Sequence, residues 1–192
     1  MYVARKRVQV DIKWVCNLFT KYRQSGISLL ELMITVAIIS IVVMLGAPSF
    51  VTAFQTQHLK GASEATYFTL RFARSEAISQ ASDITVDFNS GANWCVGVSD
   101  TGSCDCTAAN SCQVRGVEQV VKAADYGDVA MQNMTFVGGE SQFDGMRGTS
   151  AGNAGSLEYT LGGSTFRVIL SNLGRARICL VSGNMTGYDS CA

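Results

Sequence analysis

The sequence predicts an α+β chain, a long amino-terminal helix packed on a carboxy-terminal antiparallel sheet. Three observations predict it. Ile27 to Leu45 is an apolar run with Glu31 as its single charge; Leu59, Ala62, Thr66, Leu70, Ala73 and Ala77 then recur at helical spacing; and after Asp83 the texture changes to short β-like runs broken by Gly, Asn and Ser.

The nineteen residues from Ile27 to Leu45 make about 28 Å of helix, enough to cross a hydrocarbon core. Lys21 and Arg23 precede the run, so its start is expected on the cytoplasmic side. A cleaved secretory signal is the bland alternative. Against it, no A-x-A-like site closes the run, Pro48 follows the small pair Gly46 and Ala47, and the stretch is longer than a usual signal core. The helical pattern resumes beyond Pro48 and is expected to continue to about Ser82. Arg71 and Arg74, on this second half, read as a solvated face.

A carboxylate inside an apolar span costs up to ~3 kcal/mol at mid-bilayer, so a retained one is expected to have a partner. Cleavage after Gly26 would supply it, because Ile27 would gain a charged α-amino group and Glu31 would become the fifth residue of the mature chain. The α-amine of a neighbouring copy could then neutralise Glu31.

Composition narrows the function classes. The 192 residues, 16% charged and 47% hydrophobic, suit one globular domain with an appendage. Formal charge is zero, but residues 1–26 carry six Lys/Arg against one Asp, and the remainder nine against fourteen Asp/Glu. A broad basic surface for nucleic acid is therefore disfavoured. His58 is the single histidine and lies on the helix, so no Ser/His/Asp or Cys/His arrangement is expected; the chain reads as no enzyme, without cofactor or metal.

Of seven cysteines, Cys16 precedes the apolar run and six follow it. An even set beyond a membrane segment suggests disulfides in an oxidising compartment, with fifteen pairings possible for six cysteines. Cys104, Cys106 and Cys112 could also form a thiolate metal cluster, but nearby histidines are lacking. Cys95, Cys104, Cys106 and Cys112 are expected to pair among themselves, and Cys179 with Cys191 to staple the tail.

The expected strands are "ITVDF", "WCVGVS", "MTFVGG", "SLEYTL", "FRVIL" and "RARICLV", with "DGMRGTSAGNAG", Asp144 to Gly155, as a loop. "FRVILSNLGRARICLV", Phe166 to Val181, reads as a hairpin turning at Asn172 and Gly174. Alternation sends Ala176, Ile178 and Leu180 to one face and Arg175, Arg177 and Cys179 to the other. Two neighbouring guanidiniums make an anion-binding fork suited to phosphate. From the residues alone, the solvent face of an edge strand is the favoured reading.

"SGISLLELMITVAIISIVVMLGAPSF" resembles the class III signal of type IV pilins and type II secretion pseudopilins, with Gly26, Glu31 and Pro48 at the motif positions. Ile27 stands where Phe is commoner, and the leader is long. The resemblance implies a type IV pilin-like fold, a leader of residues 1–26, a transmembrane and filament-core helix over 27–48 and a soluble domain over 49–192. It also implies cleavage between Gly26 and Ile27 by a prepilin peptidase, N-methylation of Ile27, and other major and minor pilins or pseudopilins as partners. The expected location is the bacterial inner membrane, single-pass, with the carboxy-terminal domain in the periplasm.

The long helix, "FDGMRGTSAGNAGSLEYTL" and the terminal Gly-Arg-x-Arg with Cys179 and Cys191 are similar to the GspH/FimT group. FimT-like members use Gly-Arg-x-Arg to bind DNA in natural transformation, which implies double-stranded DNA as a partner of Gly174, Arg175 and Arg177, helped by Arg167 and Lys122. The alternatives are an H-type pseudopilin or an assembly-priming minor pilin without DNA binding, and adhesion through the Cys95 to Cys112 loop.

Overall fold

The computed structural model describes residues 26–191, without the side chains of residues 45–49. The expected leader through Ser25, with Cys16, Lys21 and Arg23, lies outside the described residues, as does the side chain of Pro48. The chain divides into two compact units, Met1–Ala47 and Pro48–Ala192.

In the first unit, Gly26, Ile27 and Ser28 are exposed and precede helix α1 (Leu29–Gln80). Ser28 accepts a backbone bond from Leu32 at 3.1 Å, and Glu31 sits in the first turn, where the helix dipole favours a carboxylate. Thr35 and Ser40 donate their hydroxyls to the carbonyls of Leu32 and Val36, so neither presents an unpaired polar group among the exposed apolar side chains. Among the described residues no helix is long and apolar enough to cross a membrane. The apolar stretch with described side chains closes at Met44, within the expected span of 27–48.

In the second unit, α1 turns Leu59, Ala62, Ser63, Thr66, Leu70, Ala73 and Ala77 inward, all at most 1% exposed. This is the face that the spacing predicts. Most of these side chains are small, so the strands come close, and the Thr66 hydroxyl meets the Tyr159 hydroxyl at 2.6 Å in the core. Burial pushes the Tyr159 phenol well above its usual range, so it stays neutral. Trp94, Phe143, Phe166 and Leu157 fill the remaining centre, with the Trp94 indole N–H donating to the Val129 carbonyl at 2.8 Å.

The helix ends slightly before the expected Ser82. Ala81 takes a left-handed conformation (φ 49°), while Ser82 N–H reaches the Ala77 carbonyl and Ala81 N–H that of Ile78, satisfying the last turn.

The strands are β1 (Ile84–Asn89), β2 (Cys95–Ser99), β3 (Gln113–Val114), β4 (Val117–Glu118), β5 (Val120–Lys122), β6 (Ala130–Gln132), β7 (Glu140–Phe143), β8 (Gly155–Leu161), β9 (Ser164–Leu170) and β10 (Ala176–Ser182). They form two four-stranded antiparallel sheets, ordered β5-β2-β1-β7 and β10-β9-β8-β6, and a small β3-β4 ribbon. The expected strand "MTFVGG" is corrected to a loop with a 3-10 turn at Val137–Gly139. Gly138 and Gly139 both have positive φ there, which extended backbone does not allow, although Phe136 still stacks on Phe88.

Disulfides join Cys95 to Cys106, Cys104 to Cys112 and Cys179 to Cys191. The last one holds the tail beside β10, where Leu180 N–H donates to the Asp189 carbonyl, Cys191 N–H donates to the Leu180 carbonyl, and Tyr188 donates its hydroxyl to Glu64.

The Thr66–Tyr159 pair gives a double-mutant test. Tyr159→Phe and Thr66→Val, each leaving one buried hydroxyl alone, are expected to cost about 1–3 kcal/mol apiece, and the double variant less than their sum. Chemical denaturation measures it, and strict additivity would show that the hydroxyls do not interact.

Candidate nucleic-acid interface

β9 and β10 are joined by the turn Ser171–Arg175. Gly174 N–H donates to the Ser171 carbonyl at 2.8 Å, Ser171 N–H to the Arg175 carbonyl at 3.1 Å, and Arg175 N–H to the Ser171 hydroxyl at 3.2 Å. The register runs Ala176 to Leu170, Arg177 to Ile169 and Cys179 to Arg167. Ala176, Ile178 and Leu180 pack on the core, while Arg175 and Arg177 are exposed. Arg175 belongs to the turn and Arg177 to β10, yet exposure alternates from Arg175 to Ile178 as the spacing predicts.

Gly174 is buried, with φ at +70°. A Cβ here would overlap the Gly148 carbonyl oxygen and stand 3.4 Å from Arg74 Nε. Both facts require glycine, and its lack of a side chain brings the turn down onto the 144–154 loop and α1. That loop is laced on both sides. Gly145 N–H donates to Asp83 beyond the helix end, Asp144 accepts the N–H groups of Met146 and Arg147, Ser150 N–H donates to the Asn172 carbonyl, and Gly152 N–H to the Asn172 side chain.

A groove of ≈ 510 Å³ lies between α1 and the turn, lined by Tyr67, Arg71, Arg74, Ser75, Ile78, Gly174, Arg175 and Ala176. Arg175 also lines a second concavity with Arg177 and Leu173. Arg177 borders a third with Glu64, Tyr67, Phe68 and Tyr188. There Tyr188 is pushed up to about 12 by burial and then by its bond to Glu64.

Helix periodicity did identify the outward face that carries Arg71 and Arg74. Arg71 is exposed and Arg74 half-buried, and the turn that comes opposite them lies beyond what helical spacing reports. A usable signal was Tyr67 one turn before Arg71: the Arg71 guanidinium carbon lies 5.6 Å from the Tyr67 ring centroid.

Two expected helpers fall elsewhere. Arg167, expected at the DNA site, is corrected to one half of an ion pair. Register sets it beside Glu158 of β8, and its Nε and Nη2 donate to Glu158 Oε1 at 2.9 and 2.6 Å, with Asn133 holding the other carboxylate oxygen. Lys122 stands on β5, the edge of the other sheet, outside the three concavities around the turn. His58 is half-buried on α1, close to Gly127.

Residues 62–174, more than half the chain, match the family model described as type II transport protein GspH. The chain belongs to the GspH family. Residues 21–47 of this GspH-family protein match the prokaryotic N-terminal methylation motif, which agrees with a pilin-like filament subunit. Among solved structures, the Pseudomonas aeruginosa PAO1 type IV minor pilin FimU is similar in two crystal forms. The P21 form has a TM-score of 0.46 at 17% identity, covering 64% of this chain and 89% of FimU. The P65 form has a TM-score of 0.45 at 18% identity, covering 62% and 91%. No curated protein matches by sequence. The GspH match includes Arg71, Arg74 and Gly174 and stops short of Arg175 and Arg177.

Burial pushes the pKa of Glu158 up, but the hydrogen bonds from Asn133 and Arg167, with the Arg167 charge, more than offset it and hold the carboxyl below its ordinary 4.5. A depressed folded-state value contributes stability that is present above 4.5 and lost as pH falls below it. Melting temperature is therefore expected to drop on acidification past that point, and less steeply in Glu158→Gln. An acid limb unchanged by the substitution would count against the pair.

Proposed function

We propose that this GspH-family protein is a minor pilin of a type IV pilus that binds double-stranded DNA through Gly174, Arg175 and Arg177 and supports DNA uptake in natural transformation. One observation carries the DNA reading. Arg175 and Arg177 are exposed at a hairpin tip, and among the described residues no carboxylate pairs with either. A guanidinium binds phosphate bidentately, and an exposed tip reaches a duplex backbone without wrapping it. Contact with a few phosphates gives weak, sequence-independent binding.

In this reading residues 27–48 anchor the precursor in the inner membrane, single-pass, with residues 49–192 in the periplasm. A prepilin peptidase cuts between Gly26 and Ile27, and Ile27 is N-methylated. Exposure of both residues ahead of α1 supports access to that bond. Among the described residues Glu31 has no ion-pair partner, which suits neutralisation by the Ile27 amine of another pilin.

A second reading, a structural pseudopilin of type II secretion or an assembly-priming minor pilin, is favoured by a family match that ends before the arginines. Gel retardation separates the two. The detergent-solubilised chain is expected to retard duplex DNA, and Arg175→Gln with Arg177→Gln to abolish retardation without changing the melting temperature. A parent that never retards DNA favours the scaffold.

Assembly is tested separately. Glu31→Ala is expected to insert and be processed as the parent is, yet to be strongly depleted from sheared filaments. Normal recovery in filaments would remove the docking role.

A further inference from the structure

We infer that the groove between α1 and the β9–β10 turn is a phosphate-binding site in which Arg71 and Arg74 of the helix hold the backbone of double-stranded DNA together with Arg175. The inference rests on the DNA reading above and extends its contact surface to the helix.

The distribution of counter-charges points there. Among the described residues, Arg115 is paired with Glu76 and Arg167 with Glu158, whereas Arg71, Arg74 and Arg175 share one groove that no Asp or Glu lines. Three guanidiniums in one concavity repel one another, and half-buried Arg74 has lost part of its hydration without a counter-ion. An anion bound between them relieves both costs. Elsewhere beyond Gly26 acids outnumber cations, so this is a local concentration of charge and not a sample of a basic surface.

Arg71 and Arg74 also rest against neighbouring groups before any ligand arrives. The Arg74 stem runs over Gly148, where a Cβ would stand 3.1 Å from its Cγ, and its Nε faces Gly174. Arg71 lies on the Tyr67 ring, with Nη1 3.4 Å from the Tyr67 hydroxyl. Side chains already ordered lose less entropy on binding.

Shape favours a polyanion over a single phosphate. Arg175 is common to the groove and to the adjoining concavity that contains Arg177, so the cations run as a track from the helix over the turn. At the Arg177 end, Glu64 borders the neighbouring concavity and weakens the attraction. The helix end of the track, free of acids, is the stronger half.

The test uses the full-length chain in detergent and a short labelled duplex, with binding followed by fluorescence anisotropy across a salt series. Arg71→Gln with Arg74→Gln is expected to weaken binding roughly tenfold at about 0.1 M salt and to flatten the log K against log salt slope by about 1.8, two phosphate contacts at ~0.9 each. Arg71→Lys with Arg74→Lys should retain the parental slope. Parental affinity and slope in the Gln pair would overturn the groove and leave the Arg175 and Arg177 contact standing. Loss of binding that comes with a lowered melting temperature and is not rescued by Lys would also overturn it, because the arginines would then be structural. A parent that does not bind the duplex removes this inference and the DNA reading together.

Discussion

Everything in the second unit depends on how closely α1 lies against the strands. Ala62, Ser63, Ala73 and Ala77 bring the helix axis near the sheets, and the hydroxyls of Thr66 and Tyr159 satisfy each other at the point of contact. With that face fixed by a period of about 3.6, the opposite one has no freedom either. Tyr67, Arg71, Arg74 and Ile78 must then border the surface on which the β9–β10 turn settles. The turn reaches it because Gly174 leaves room for the Gly148 carbonyl. A packing requirement in the core thus determines which cations meet at the surface.

The charged groups divide by the same logic. Glu158 and Arg167 are opposed by register on neighbouring strands, where burial makes pairing necessary, and Asn133 completes the carboxylate. Glu76 is shared by Arg115 and Gln80 near the helix end. Glu64 takes the Tyr188 hydroxyl and so ties the disulfide-closed tail to α1. These carboxylates are occupied by structural work. Among the described residues the arginines at the hairpin end have no such carboxylate partner.

Local patterns were legible where one element decides them. The inward face of α1, the alternation of Ala176, Ile178 and Leu180, and the turn at Asn172 and Gly174 each follow from spacing within one segment. What pairs across segments was not. Arg167 looked like a spare cation because Glu158 faces it only once β8 and β9 are in register. Arg71 and Arg74 looked solvated because helical spacing says which way a side chain points and not what stands opposite. "MTFVGG" has strand-like residues, but its paired glycines take positive φ. Strands as short as β3 and β4 are too brief to show a period at all.

The cysteine loop has a consequence of a different kind. Cys95–Cys106 and Cys104–Cys112 interleave along the chain, so every peptide bond between Cys95 and Cys112 lies inside at least one covalent ring. A protease that nicks this loop once opens a ring and releases nothing; the two ends stay joined through sulfur. That topology separates being cut from being lost.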